Sequence, residues 1–240
     1  MIPCAAAAPE PPAREADTFV AKTSAPERSG KEKRGAGKPP HMEKAHEANA
    51  KPMAEIRKPL PVKLFVGILT SAPTILPTVE ERLSELFGPV DSRSDSFPFD
   101  MTHYYDQEMG VPISRNFLTF EKLINPSEIT EIKVKTNDLE SALARENPVV
   151  ERPVNLDPGY LEQSKIVLAS TKNYFHRVLI SGGIYAEVTL HFEEGEWRAF
   201  PWTFPDYKSG RYDRYFSSLR DLYRRQLSAA GFRIRTRRRE

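Results

Sequence analysis

Cysteine is nearly absent: Cys4 is the only one in 240 residues, so no disulfide can form within the chain. That excludes the stapled scaffolds of small secreted proteins and fits a reducing compartment. Long apolar runs are missing as well. The longest, Leu64 to Leu69, falls far short of the roughly 18 residues of a membrane-spanning helix, so no membrane partner is expected. Glycine occurs 12 times but never as Gly-x-x-x-x-Gly-Lys-Ser/Thr. Gly35-Ala36-Gly37-Lys38-Pro39 has proline where the magnesium-binding hydroxyl belongs, and Gly182-Gly183 leads into a strand pattern rather than a helix. No P-loop GTPase is therefore expected, while nucleotide binding by another geometry stays open. Histidine is sparse. His103, His176 and His191 lack tight ligand spacing, so no metal site is expected, even with Asp157, Glu187 or Asp206 nearby.

Charge is present in blocks. Residues 1–58 hold 11 Lys/Arg against 8 Asp/Glu, residues 59–210 hold 14 against 22, and residues 211–240 hold 10 against 3. The central segment is thus acidic, not the basic surface that nucleic acid demands. The Arg-rich end, Arg233 to Arg239, is expected to be a solvated tail, with phosphate contact as the alternative. Residues 1–58 are Ala-, Pro-, Lys- and Glu-rich and cannot bury enough apolar surface to offset chain entropy, which predicts disorder. Their start lacks a basic region before a short, Pro-broken apolar stretch, which makes a poor secretory signal and predicts a cytoplasmic protein.

From Pro59 the pattern changes. Val62 to Leu69 reads as a strand covered on both faces. Ile75, Val79, Leu83, Leu86 and Phe87 follow at helical spacing, closed by Gly88-Pro89. Val90 to Phe99 and Asn116 to Phe120 read as strands. Asn125-Pro126-Ser127-Glu128 carries a capping box ahead of a helix reaching Arg145. Spacing favours a helix over residues 162–172, with a strand the alternative. His176 to Ile180 and Ile184 to Phe192 form a hairpin around Ser181-Gly182-Gly183; a three-residue loop sets Ile180 across from Ile184, and Arg177 across from Glu187. Trp197 to Phe200 adds a strand. Residues 201–207 form an aromatic loop, and Tyr212 to Leu227 an amphipathic Arg-rich helix. The expected fold is α+β: one mixed or antiparallel sheet with helices mainly on one face, with a ferredoxin-like arrangement as one candidate, spanning residues 59–227 between disordered termini 1–58 and 228–240.

The run Val154 to Leu161 (Val-Asn-Leu-Asp-Pro-Gly-Tyr-Leu), with Lys165, Thr171-Lys172, His176-Arg177, Ile184 to Val188 and Pro201 to Tyr207, resembles an uncharacterised bacterial family, domain of unknown function 4416. Lys63 to Gly67, Phe97 to Asp100 and Tyr104-Tyr105 resemble its N-terminal half. The resemblance covers about residues 60–216. It implies a bacterial intracellular protein with no established activity; some relatives carry a GTP-binding label.

Within that frame Asp157-Pro158-Gly159 has the chemistry of a turn. On one reading Asp157 only caps the turn and Tyr160 only packs. On the other, the turn presents Asp157 and Asn155 beside Lys165 and Lys172. The polar side of the hairpin then adds His176, Arg177 and Glu187. Acidic, amide and cationic groups together suit a small anionic ligand, including a phosphorylated or nucleotide one, with Asp157 or Glu187 as acid or base. Residues 97–105 and 201–207 are aromatic segments able to flank one cleft. The alternative function is a noncatalytic interaction module, RNA-associated through its Arg-rich end. The sequence names no cofactor, no reaction and no oligomeric state.

Overall fold

The computed structural model describes residues 56–148 and 150–232. Most of the expected N-terminal tail and the arginines of 233–239 lie outside the described residues. No helix among the described residues is long and apolar enough to cross a membrane.

Strand β1 (Val62–Thr70) has all nine residues buried, as its unbroken apolar run requires. Leu64, Val66 and Ile68 enter one core and Phe65 the other. A 3-10 turn, Pro73–Ile75, leads into α1 (Leu76–Phe87). The helix ends at Gly88, whose φ of 94° is a left-handed value open to glycine. Next come β2 (Val90–Arg93), β3 (Phe97–Pro98), α2 (Asp106–Met109) and β4 (Ser114–Ile124). The capping box forms as expected: the Asn125 side chain accepts from Ser127 N–H, and Glu128 accepts from Asn125 N–H, ahead of α3 (Ile129–Glu146). Strand β5 (Asn155–Leu161) completes this half.

The sheet is a single antiparallel one of nine strands, with spatial order β2-β4-β1-β5 across this half. The chain order β1-α1-β2-β4-α3-β5 with that strand order is the ferredoxin-like arrangement. Both α1 and α3 pack on the same core, so the helices of this half share one face. The second half prolongs the sheet through β6 (Lys165–Ser170), β8 (Ile184–Glu193) and β7 (Val178–Ser181), with β9 (Glu196–Ala199) also paired to β8. A four-residue α4 (Pro205–Lys208) then leads to α5 (Asp213–Ala229). Phe216, Leu219, Tyr223 and Leu227 of α5 cover the opposite face. Two long helices thus lie on one face and the third on the other, which is why the central strands are apolar on both sides.

Three local expectations change. Residues 165–170 are a strand, not a helix: Ile166 and Leu168 face α5 while Ala169 faces the α1/α3 side. Short apolar runs buried on both faces carry no decisive period. The 181–183 loop is tighter than expected, because Ser181 pairs with Ile184 across Gly182 and Gly183, both at positive φ. A bulge in β8 between the Ile166–Leu190 and Val167–Val188 pairs also swaps the side that its even-numbered residues face. Ile184 packs on the α1/α3 side and Leu190 on the α5 side.

The third change is Asp157-Pro158-Gly159, which is not a turn but the middle of β5, opposite Gly67, Val66 and Phe65 of β1. Alternate residues of a strand turn their backbone groups to the same edge. Leu156 N–H and C=O face away from β1, where Glu140 and Lys133 of α3 bind them at 2.7 and 2.9 Å. Pro158 shares that edge, and pairing with β6 begins only at Gly159–Leu168, so its missing N–H leaves no ladder position empty. Gly159 is required sterically. A Cβ there would stand 2.5 Å from Val167 O and 2.7 Å from the Phe65 ring.

Candidate functional site: a charged notch between two strands

Because the β5–β6 ladder starts at Gly159, the two strands separate below it. Extending the register by two residues sets Asp157 across from Ser170, the last residue of β6. Side chains of α3 fill one side of this gap. Lys133, Thr136 and Glu140 interrupt the helix's apolar stripe, and Lys133 and Thr136 are buried.

Asp157 lies on the α5 side of the notch. Its Oδ2 accepts from Arg115 Nη1 at 2.9 Å and from Asn155 Nδ2 at 2.8 Å. Arg115 belongs to β4, so its guanidinium must cross β1 to reach β5. It does so over Gly67: a Cβ there would sit 3.1 Å from Arg115 Nη1. Arg115 is buried; its Nη2 lies 3.3 Å from Asp206 of α4, which also accepts from Tyr212 Oη at 3.2 Å. The Phe99 and Tyr207 rings stand 5.4 and 5.8 Å from the guanidinium. The aromatic segments expected to flank one cleft therefore meet, on this arginine. Arg115 Nε and Tyr207 Oη are buried and have no hydrogen-bond partner among the described residues.

On the other flank Arg152 donates to Asn155 and, at 2.8 Å, to Glu140 Oε2. Protein crowds around the Asp157 carboxyl, yet 27% of the side chain stays accessible, the mark of a recess. Burial alone would raise this carboxyl, but Arg115, then Lys133, and the two hydrogen bonds outweigh it and hold it below the usual range. It is an ionised acceptor, not a proton donor, at neutral pH. Glu140 goes the other way: burial raises it, more than Lys133 and Arg152 lower it.

The second network is built on β8. Glu187 is buried; its Oε2 accepts from Arg177 Nε at 2.7 Å and lies 3.0 Å from His176 Nε2. The expected Arg177–Glu187 cross-strand pair thus forms. The His176 ring is stacked between Tyr174 and Trp202. Arg177 Nη1 continues to Ser170 Oγ at 2.7 Å and Lys172 O at 3.1 Å, which ties this network to the rim of the notch. From that rim Lys172 Nζ donates to Tyr104 Oη at 2.7 Å, with the ammonium 4.7 Å from the ring centroid. Tyr104 packs edge-on against Tyr105, whose hydroxyl is pushed up by burial and then by the Asp157 charge.

The notch therefore brings together Asn155, Asp157 and, through Arg177, Lys172, His176 and Glu187. It does not include Lys165. That residue sits at the far end of β6, about 17 Å from Ser170 at 3.3 Å per residue, and pairs with Glu162 at 2.7 Å. Nor does it include Tyr160, which turns to the α1/α3 core. Arg115, Lys133, Glu140 and Arg152 were not among the expected residues. The visible signal for two of them was polar residues at core spacing on α3.

Among the described residues no three His, Cys, Asp or Glu side chains are grouped to hold a metal ion. An open groove of about 420 Å³ lies elsewhere, against α1 and lined in part by Pro77, Glu80, Arg93 and Asn116. Glu80 and Arg93 pair with each other there, so the groove lacks the buried charge that distinguishes the notch.

No curated protein and no solved structure matches the chain. A family model does, described as domain of unknown function (DUF4416), over residues 60–223, which takes in every strand and the notch itself. The chain belongs to that family.

Proposed function

We propose that the notch binds a small molecule carrying a phosphate or carboxylate together with a hydroxyl or amino group. Lys172 takes the anionic group. Its exposed ammonium has the Tyr104 hydroxyl, not a carboxylate, as its hydrogen-bond partner. Asp157 accepts from the ligand's donor through Oδ1, since Oδ2 already receives Arg115 and Asn155. Glu187, with Oε2 taken up by Arg177 and His176, positions Arg177 and through it the backbone of Lys172. The observation that carries this reading is the ionic cluster where two central strands part: Lys133, Glu140, Arg152, Arg115, Asp157 and Asp206. Buried ion networks cost desolvation that apolar residues of the same volume avoid, so stability alone does not account for one here.

Thermal-shift measurements on the full chain with inorganic phosphate, acetate, ribose 5-phosphate, GMP and GTP test it. A probe at about a hundred times its Kd stabilises by about 2.7 kcal/mol, a rise of roughly 5–10 °C for a domain of this size. The rise should vanish in Asp157→Asn and Lys172→Ala. A shift that survives in both variants places the ligand elsewhere; no shift with any probe defeats the anionic class.

A further inference from the structure

The two outer edges of the sheet are treated differently. At the first, β2 carries Asp91 and Arg93, paired with Lys63 and Glu80, and β3 ends in Pro98. Charge and proline on an edge strand are the usual guards against pairing with another chain. The second edge is shared by β9, which carries the charged Glu196 and Arg198, and by β7, which has no charged residue and no proline. Its Val178, Leu179 and Ile180 are 72%, 56% and 40% exposed, and Phe175 just before them is 92% exposed. Neither side of the strand is covered, since its four residues are all exposed. Tyr174 and Phe204 lie beside them, both against the Arg177 guanidinium.

We infer that β7 is a homodimer interface, taken by the β7 edge of a second copy of this chain. Together the six residues expose roughly 600 Å² over the two sides of the strand, approaching the ~800 Å² per partner of a standard interface. Size alone does not choose the occupant; the contrast between the edges does. A guarded β2 edge cannot receive β7, so head-to-tail growth into filaments is blocked. A β7–β7 contact about a two-fold axis uses the same surface twice and closes. It needs no outside chain, and antiparallel pairing is the geometry such an axis imposes. A bulge at Ile180 confines regular backbone pairing to Val178 and Leu179, so side-chain burial, led by Phe175, supplies most of the contact.

Light scattering and sedimentation of the full chain at about 50 µM, a concentration that populates micromolar dimers, should give twice the 27.3 kDa chain mass. Val178→Lys places a lysine twice in a two-fold interface and should weaken the dimer at least a hundredfold. Leu86→Lys, an exposed leucine on α1, should leave it unchanged. If circular dichroism shows Val178→Lys to be misfolded, Phe175→Glu serves the same purpose from a loop. A monomeric wild type overturns the inference, as does a dimer that persists in both interface variants. A monomer whose β7 amides resist hydrogen exchange until residues 1–55 are removed also overturns it, and would make that segment the occupant.

Discussion

Replacing Arg115 with methionine is the sharpest perturbation of the notch. The guanidinium is buried and serves two carboxylates at once, Asp157 at 2.9 Å and Asp206 at 3.3 Å. Methionine fills most of the volume but strands Asp206 away from water and leaves Asp157, part of whose side chain is accessible, without its chief counter-charge. Removing one partner of a buried ion pair costs about 3–5 kcal/mol, and a domain of this size loses about 2–4 °C per kcal/mol, so a fall of roughly 10 °C in Tm is expected. The pH dependence supplies a second, independent sign. In the wild type, Asp157 is held below the usual carboxylate range, so its contribution is present at neutral pH and fades only as pH drops through that lowered value. In the variant, burial acts on the carboxyl without its chief counterweight and drives its folded value upward. Stability is then lost as pH rises and recovered on protonation. The Tm deficit should be largest near about pH 7 and narrow toward about pH 5. Adding Asp157→Asn and Asp206→Asn to the same chain should return most of the loss, because no buried charge is left unpaired. Calorimetry across this range is decisive: a deficit under ~1 kcal/mol, or one that widens on acidification, refutes the account of the cluster.

Other substitutions probe neighbouring links. Gly159→Ala drives a Cβ to 2.5 Å from Val167 O and should cost about 2–4 kcal/mol by urea unfolding, since a backbone oxygen cannot step aside cheaply. Gly67→Val should disrupt the Arg115–Asp157 bridge by displacing the guanidinium, lowering Tm and removing the response to any notch ligand together. Glu187→Leu leaves buried Arg177 without its carboxylate and should cost about 3 kcal/mol, read by chemical denaturation. Lys172→Ala, at an exposed position, should move Tm by under ~1 °C while weakening phosphate-type ligands.

Local chemistry was legible wherever one element carried its own cause. The capping box at Asn125, the stop at Gly88 and the doubly covered β1 all follow from residues a few positions apart. So did the ferredoxin-like candidate for the fold and the Arg177–Glu187 pair, which needs only a hairpin register. The sequence could not show that Asp157-Pro158-Gly159 runs straight. That outcome depends on β6 parting from β5, and on α3 supplying Lys133 and Glu140 to the freed edge. Turn propensity is a property of the tripeptide, whereas a strand edge is a property of what lies beside it. Arg115 was hidden for the same reason: its importance rests on a glycine two strand pairs away and on an aspartate some ninety positions later. Sequence determined which segments bury apolar surface and where locally capped elements start or stop, as at Asn125 and Gly88, because those are short-range balances of chain entropy and solvation. Only the tertiary structure decided which charges share a recess, because burial and Coulomb attraction act across space and ignore distance along the chain.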